Sequence, residues 1–326
     1  MGRFVSIWFR YLTTDWFAIR NPELSKVPLV LRSLSHGRMI VTSANVHAIK
    51  KGAQIGMALA DVRAIIPDLQ VLDEKTDLPE RLLKKLAEWC IRFTPFVAVD
   101  LPDGLFLDST GCTHLWGGDQ AYLDDIIRKL AKRGYSVKVA IADTPGAAWA
   151  VARYGNEMVI ERGKQREALV PLPPESLRIE SENAERLHKL GLYQIGQFID
   201  MPRSSLLRRF GAGFLLQLDR ALGSEQEVLE PIITPLPYQE RLPSLEPIVT
   251  AKGIEIALDT LMRALCLRLQ REQKGIRHTI FKCYRVDGKI EAIEIRTNRS
   301  TYHITHLLSL FALSLPNIEP ALGIEL

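Results

Sequence analysis

Short apolar runs and longer runs of helical periodicity alternate along the first half of the chain. The apolar runs end at turn-forming residues and predict β-strands, at Arg3–Phe9, Pro28–Arg32, Met39–Thr42, Val97–Leu101, Leu105–Asp108 and Ser136–Ala142. The periodic runs predict helices, at Ala44–Gly52, Ala58–Ile66, Asp119–Arg133 and Ala147–Tyr154. Strands that alternate with helices indicate an α/β or α+β domain, to which we assign residues 1–166.

The pattern changes near Glu167, beyond which short amphipathic runs are separated by glycine or proline. These runs predict a small helical domain at residues 167–233, with helices at Glu182–Leu190, Ile195–Met201 and Ser204–Phe210. Gly191 lies between the first two helices and predicts a helix–hairpin–helix whose backbone N–H groups hold a phosphate. A plain helical hairpin without a ligand is the alternative.

Residues 234–326 begin with a proline-rich tether, Thr234–Tyr238. After a first strand, the pattern predicts helix, strand, strand and helix, at Gly253–Gln273, Arg277–Val286, Ile290–Arg296 and Tyr302–Ser314. This β-α-β-β-α order is one strand short of a split βαβ unit. We therefore expect a domain that is truncated at its last strand.

Charge adds information mainly in this last domain. The 326 residues carry a net charge of +4, which is too small by itself to indicate nucleic-acid binding. Between Arg263 and Arg299, however, ten basic residues accompany only four acidic ones. A basic stripe of this kind is typical of a surface that contacts phosphates, and a solvated charged face is the alternative.

The cysteines and the apolar runs argue against several other classes of protein. Cys90, Cys112, Cys266 and Cys283 form no C-x-x-C pair and lie at no zinc-binding spacing, so we expect free thiols and no metal. The apolar run Ile304–Leu315 is too short for a membrane span, and the N-terminus has no leader-like pattern. The sequence therefore predicts a cytoplasmic protein.

Two segments of the chain resemble Y-family, or lesion-bypass, DNA polymerases. Met39–Leu69 resembles the fingers segment T-A-N-Y-x-A-R with its later G-M and P-D-L, and Leu101–Gly118 resembles the palm hairpin S-I-D-E-A-Y-L-D-V-T. The resemblance covers nearly the whole chain and implies an α+β multidomain fold of the polymerase right-hand type. Its parts would be a palm with fingers at about residues 28–70, a helical thumb and a little finger.

The same resemblance implies that the catalytic groups are missing. In this family, carboxylates on the first strand and the hairpin hold two divalent ions. The first strand here presents Trp8 and, by strand alternation, Arg10 on the corresponding face. In the hairpin Asp103 remains, at a position that also suits a turn residue, and Gly104 replaces the glutamate. The positions that would contact the triphosphate are lost as well, at Val46, Ile49 and Trp149.

This pattern resembles the catalytically inactive, ImuB-like branch of the family. That branch implies a non-catalytic adaptor in bacterial damage-induced translesion synthesis, within the SOS response and located at the nucleoid. The implied partners are DNA, the sliding β clamp, an error-prone α-type replicative polymerase and a RecA-like companion protein. The alternatives are an active low-fidelity polymerase with an atypical metal site and a protein scaffold that does not bind DNA.

Basic residues of the last two domains, together with the turn at Gly191, are the candidates for DNA binding. Contacts to phosphates would make this binding independent of sequence and sensitive to salt. The candidates are Lys189, Gly191, Arg203, Arg208, Arg209, Arg277, Lys282, Arg285, Arg296 and Arg299.

Overall fold

The computed structural model describes residues 2–233, 238–244 and 246–325, and it divides into two compact units, residues 1–234 and 235–326. The predicted tether lies outside the described residues except for Tyr238. In the first unit the strands are β1 (Phe4–Trp8), β2 (Leu29–Ser35), β3 (Arg38–Ala44), β4 (Gln70–Asp73), β5 (Val97–Asp100), β6 (Gly104–Asp108) and β7 (Lys138–Ala142). Its helices are α1 (Leu12–Arg20), α2 (Val46–Lys50), α3 (Leu59–Ile65), α4 (Leu78–Cys90), α5 (Asp119–Ala131), α6 (Pro145–Tyr154), α7 (Gln165–Leu169), α8 (Ser181–Lys189) and α9 (Arg203–Leu222).

The larger sheet of this unit is antiparallel and has the strand order β5-β6-β1-β7, which confirms the four strands predicted for it. β1 is a central strand, and both of its faces are covered. Val5 and Ile7 point into an apolar core formed with α4 and α5. The opposite face packs against α6, whose alanines allow the helix to approach the strands closely. The loops at the end of β1 are thereby held on a rigid base.

A smaller sheet has the order β3-β2-β4, with β2 antiparallel to β3 and parallel to β4. Asn45 caps α2 and ties it to β2, because its Oδ1 accepts hydrogen bonds from the N–H groups of Ala48 (2.9 Å) and Leu29 (3.1 Å). Ala48 and Val62 from the two short helices complete the core beside this sheet. This is the region that the resemblance assigns to the fingers.

Helix α1, strand β4 and helix α4 are not among the predicted elements. The buried residues of α4 recur at helical spacing, at Leu78, Leu82, Leu83, Leu86, Ala87 and Cys90. Such a pattern is typical of an amphipathic helix, so the sequence does contain the signal for α4. β4 is only four residues long and partly exposed, and an apolar pattern of that length is not distinctive.

The helical part of the first unit differs from the prediction in two places. The predicted helix Ile195–Met201 is a single 3-10 turn at Ile195–Gln197, and the helix predicted at Ser204–Phe210 continues to the end of α9. α9 bends at Gly211, where φ is 83°, a value that glycine adopts readily and other residues do not.

α9 packs directly against α6, so the helical part and the larger sheet lie in one compact unit. Thr144 Oγ1 donates a 2.8 Å hydrogen bond to the carbonyl of Ala221. A Cβ atom on Gly146 would lie 2.9 Å from the Cα of Ala221, so glycine is required there for the close approach. The domain boundary near residue 166 stays a prediction.

The second unit contains α10 (Ala251–Arg271), β8 (Ile276–Arg285), β9 (Ile290–Thr301), α11 (Ile304–Ala312) and β10 (Ile324–Glu325). Its antiparallel sheet has the order β10-β8-β9, and α10 and α11 contribute buried apolar residues to the core beside it. β10 is two residues long and pairs with Tyr284 and Arg285 of β8, at the place where the last strand is expected to begin. That the domain is truncated at this strand stays a prediction. A strand is also expected before α10. In the described residues 238–244 and 246–250 there is only a single β-bridge, between Ile248 and Ile324.

The four cysteines are free, as predicted, and all except the partly buried Cys112 are buried. None of the helices in the described ranges combines the length and the hydropathy that crossing a membrane requires.

Candidate functional site

Two aspartates, Asp100 and Asp103, lie where β5 turns into β6 beside the end of β1. β1 and β6 pair so that Trp8 lies opposite Gly104. The N–H of Phe9 donates a 2.8 Å hydrogen bond to the carbonyl of Asp103, which fastens the turn to the segment after β1. The sheet thus brings the first strand and the hairpin together, as the sequence analysis expects.

Asp103 lies in the turn, as its position in the sequence suggests, and its side chain also makes hydrogen bonds. Its Oδ2 accepts a 2.8 Å hydrogen bond from Trp8 Nε1, and its Oδ1 accepts one of 2.8 Å from Arg153. Trp8 and Asp103 therefore lie on the same side of the sheet, which confirms their predicted proximity. Arg10 lies in the turn beyond β1 rather than on the strand, and its guanidinium is 5.7 Å from the Trp8 ring.

Asp100 is a second carboxylate that the sequence analysis does not single out. Its Oδ2 accepts hydrogen bonds from Trp149 Nε1 (2.8 Å) and Arg153 (3.1 Å). Burial raises the pKa of Asp100 above its usual range, and the negative charge of Asp103 adds to this shift. The positive charges of Arg153 and Arg178 and the hydrogen bond from Trp149 oppose it. The position predicted to have lost a triphosphate contact, Trp149, is therefore a hydrogen-bond donor to this carboxylate.

Arg153 is the centre of this carboxylate cluster, which we define as Asp100, Asp103, Arg153, Trp8 and Trp149. One nitrogen, Nη2, donates to both aspartates, and the side chain is only 8% exposed. The guanidinium carbon lies 4.1 Å from the centre of the Trp149 ring and 5.7 Å from that of Trp8. A permanent cation therefore lies between the two carboxylates, stacked beside two indoles.

Gly104 is packed closely against this cluster. A Cβ atom there would lie 2.7 Å from Asp100 Oδ2 and 2.9 Å from Arg153 Nη2. A larger residue therefore requires Asp100 and Arg153 to move. Within residues 2–233, 238–244 and 246–325, no group of three or more His, Cys, Asp or Glu side chains has the arrangement of a metal site.

The other two predicted triphosphate positions lie on α2. Val46 is the first residue of that helix and is partly exposed, and Ile49 packs against the core beside the smaller sheet. Neither side chain has a charge or a hydrogen-bonding group, so neither can bind a phosphate through its side chain.

The hairpin at Gly191 does not present free N–H groups, which corrects its interpretation as a phosphate site. The N–H groups of Tyr193 and Gln194 donate to the side chain of Gln197, at 2.7 and 3.0 Å. Those of Ile195 and Gly196 donate to backbone carbonyls 2.9 Å away. Because these donors are already bonded within the protein, the alternative of a plain helical hairpin fits this turn better.

Three of the nine basic candidates are paired with carboxylates. Arg203 pairs with Asp219, and Arg296 pairs with Glu294 at 2.6 Å. The Arg285 side chain is only 9% exposed and pairs with Asp287 and Glu291 at 2.6 and 3.2 Å, so little of it is open to a phosphate. Alternation along β8 places Arg285 on the same face as the buried Phe281 and Cys283.

The remaining six basic candidates are exposed and make no ion pair with the carboxylates in the described part of the chain. They are Lys189, Arg208, Arg209, Arg277, Lys282 and Arg299. Lys282 lies on the face of β8 opposite the core. Exposed cations without a carboxylate partner are available to phosphates, so these six are the positions at which the DNA-binding hypothesis is testable.

Comparison with known proteins agrees with the resemblance. Residues 7–153 match the family model described as the impB/mucB/samB family. Protein ImuB of Caulobacter vibrioides is 37% identical over 271 residues, which are 83% of this chain and 59% of that protein. The chain thus spans about three fifths of the length of this relative. DNA polymerase IV of Shewanella oneidensis is 24% identical over 288 residues, 85% of this chain and 80% of the polymerase.

Solved structures show the same fold. DinB from Sulfolobus solfataricus superposes with a TM-score of 0.58 at 18% identity, over 97% of this chain and 93% of that one. A structure described as the insertion ternary complex of Dbh DNA polymerase superposes with a TM-score of 0.60 at 18% identity, over 97% and 94%. The predicted α+β multidomain fold of the polymerase type is confirmed.

Proposed function

We propose that this chain, whose residues 7–153 belong to the impB/mucB/samB family and whose fold is that of Y-family DNA polymerases, is a non-catalytic adaptor in DNA-damage-induced translesion synthesis. It would bind primer–template DNA through phosphates and bring an error-prone polymerase to the damaged site. The adaptor would act in the bacterial SOS response.

The arrangement around Arg153 is the observation that carries this proposal. Nucleotidyl transfer with two metal ions needs carboxylates that are free to coordinate them. Here the two aspartates of the carboxylate cluster bind a guanidinium and two indole N–H groups instead. A divalent ion at this place would have to displace Arg153, whose positive charge repels it.

DNA binding is supported by the six exposed cations without carboxylate partners. Contacts between such side chains and phosphates provide affinity without sequence readout. Binding of this kind suits an adaptor that must act at any damaged sequence. The partners implied by the resemblance to ImuB, namely the sliding β clamp, an α-type polymerase and a RecA-like protein, are part of the proposal.

A primer-extension assay tests the absence of polymerisation. Purified chain is incubated with primer–template DNA, the four nucleotides and Mg²⁺ or Mn²⁺, and a Y-family polymerase serves as the positive control. We expect no extension with either ion. Template-directed extension that disappears in Asp103→Ala would overturn the proposal and support the alternative of an active low-fidelity polymerase.

A salt titration of DNA binding tests the second part of the proposal. We expect the chain to bind primer–template DNA at low salt, and the logarithm of the affinity to fall linearly with the logarithm of salt concentration. If the chain does not bind DNA at low salt, the alternative of a protein scaffold that does not bind DNA describes it better.

A further inference from the structure

A cavity of about 490 Å³ lies in the first unit, between α1, α4 and the turn that follows α5. Four basic side chains line it, one from the end of α1, two from α4 and one from the turn: Arg20, Arg81, Lys85 and Arg133. Leu82 and Leu86, which α4 presents toward the core, form an apolar floor. We call this site the cationic cavity.

The walls of the cationic cavity are held in place by contacts within the fold. Asp15 Oδ2 accepts a 2.8 Å hydrogen bond from the N–H of Ser136, which fastens α1 to the segment before β7. Gly134, at a φ of 87°, lets the turn approach α1 so closely that a Cβ there would lie 2.7 Å from a side-chain carbon of Ile19. The cavity is therefore formed before any ligand arrives.

The charge of the cationic cavity is not compensated within the protein. No aspartate or glutamate lines it. None of its four basic side chains makes an ion pair in residues 2–233, 238–244 and 246–325, whereas the neighbouring Lys84 pairs with Glu80 at 2.7 Å. Four uncompensated cations around one apolar floor are complementary to a ligand with several negative charges and an apolar group.

The aromatic residues near the cavity argue against single-stranded nucleic acid as its ligand. The guanidinium of Arg20 lies 3.8 Å from the centre of the Trp16 ring, and those of Arg92 and Arg133 lie 4.4 and 4.5 Å from that of Trp89. Single-stranded nucleic acids bind by stacking bases on free aromatic faces along a groove. Here arginines cover indole faces, and the basic residues surround one cavity rather than follow a line.

Trp89 also provides an unused donor. Its Nε1 is buried and has no hydrogen-bond acceptor among the described residues. A buried N–H group without an acceptor is uncommon and costs free energy.

We propose that the cationic cavity binds an acidic peptide segment of a partner protein. An aromatic or leucine side chain of the peptide would lie on Leu82 and Leu86, and flanking carboxylates would pair with Arg81, Lys85 and their neighbours. The residues that line this cavity include none of the carboxylate cluster and none of the six cations proposed for DNA binding.

The test uses a phage-displayed library of random dodecapeptides, selected on the purified chain at moderate salt. We expect the selected peptides to combine an aromatic or leucine residue with a net negative charge. Their affinity, measured by fluorescence polarisation with synthetic peptides, should fall at least about tenfold in Arg81→Glu/Lys85→Glu, which is the effect of losing one charge-assisted hydrogen bond.

Lys84→Glu/Lys132→Glu is the matched control, because it changes the same total charge at exposed residues outside the cavity. We expect its affinity for the peptides to stay within about twofold of the original chain. Thermal unfolding measured by circular dichroism establishes that each variant is folded.

Three outcomes overturn the proposal. The selected peptides could lack acidic residues, or they could bind the Arg81→Glu/Lys85→Glu variant as tightly as the original chain. The third outcome is that a dodecamer of thymidine nucleotides binds in place of the peptides and that Arg81→Glu/Lys85→Glu weakens its binding. This outcome would assign the cavity to nucleic acid. The primer-extension and DNA-binding tests of the proposed function do not depend on any of these results.

Discussion

The carboxylate cluster and the cationic cavity combine the same kinds of side chain in opposite ways. In the cluster, Arg153 is buried and its Nη2 is bonded to two aspartates, both indole N–H groups have acceptors, and Arg153 Nη1 has no acceptor among the described residues. In the cavity, basic side chains remain exposed without carboxylates, and the N–H of Trp89 has no acceptor in the described structure. Charges that are satisfied inside the protein stabilise it, and charges left unsatisfied at the surface are available to a ligand.

The largest expected effect is that of removing the central cation of the cluster. Arg153→Met leaves two neighbouring carboxylates without their counter-charge, and we expect the free energy of unfolding to fall by about 3 kcal/mol. Urea denaturation at pH 7 measures it. Asp100→Asn in the same chain should recover part of the loss, because it removes one of the two negative charges. A loss below about 1 kcal/mol would show that Arg153 is not the centre of the cluster.

Gly104→Glu tests how closely the cluster is packed. Because a Cβ there would lie 2.7 Å from Asp100 Oδ2, we expect a loss of about 2 kcal/mol and still no primer extension. Gly213→Glu is the matched control, since Gly213 is exposed in α9 with nothing within 4 Å of its Cβ position. If Gly104→Glu is as stable as this control, the cluster is free to open and the argument against metal binding weakens.

The basic candidates allow a direct comparison of paired and unpaired charges. Arg277→Ala/Lys282→Ala removes two unpaired cations, and we expect about fivefold weaker DNA binding with a salt slope reduced by about 0.9 for each lost contact. Arg285→Ala/Arg296→Ala removes two paired ones and should change affinity less than twofold. Titration by fluorescence anisotropy at several salt concentrations measures both. If the two variants weaken DNA binding equally, ion pairing does not distinguish the basic residues that bind DNA from those that do not.

The smallest effect concerns Asp15, which fastens one wall of the cationic cavity. Burial raises its pKa to about 6, so the folded chain binds the proton more tightly than the unfolded chain does. Stability should therefore increase as the pH falls through about 6 toward 4, by about 1 kcal/mol for this partly exposed group. Urea denaturation across this pH range measures the free energy of unfolding of the original chain and of Asp15→Asn. The difference between the two isolates the contribution of the Asp15 carboxyl group. No difference between them would contradict the assignment.

Much of the fold could be predicted from the sequence because its signals are local. Alternating apolar residues and turn residues determine the four strands of the larger sheet. The turn between β5 and β6 consists of Leu101, Pro102 and Asp103, and Gly104 is the first residue of β6. That Trp8 and Gly104 stand where the resemblance expects carboxylates is a prediction from the sequence alone. The extent of α9 and the single turn at Ile195–Gln197 were not predictable in this way, because packing against α6 and side-chain capping determine them.

The sequence by itself determined the polymerase-like architecture and the local excess of basic residues, and it predicted that the expected catalytic residue types are missing. Only the tertiary structure decided what each charge does. Arg153 is 50 residues from Asp103 in the chain, and the cationic cavity joins α1, α4 and a turn more than 100 residues from α1. The physical reason is that pairing and burial depend on distances across the fold, which no local pattern of residues contains.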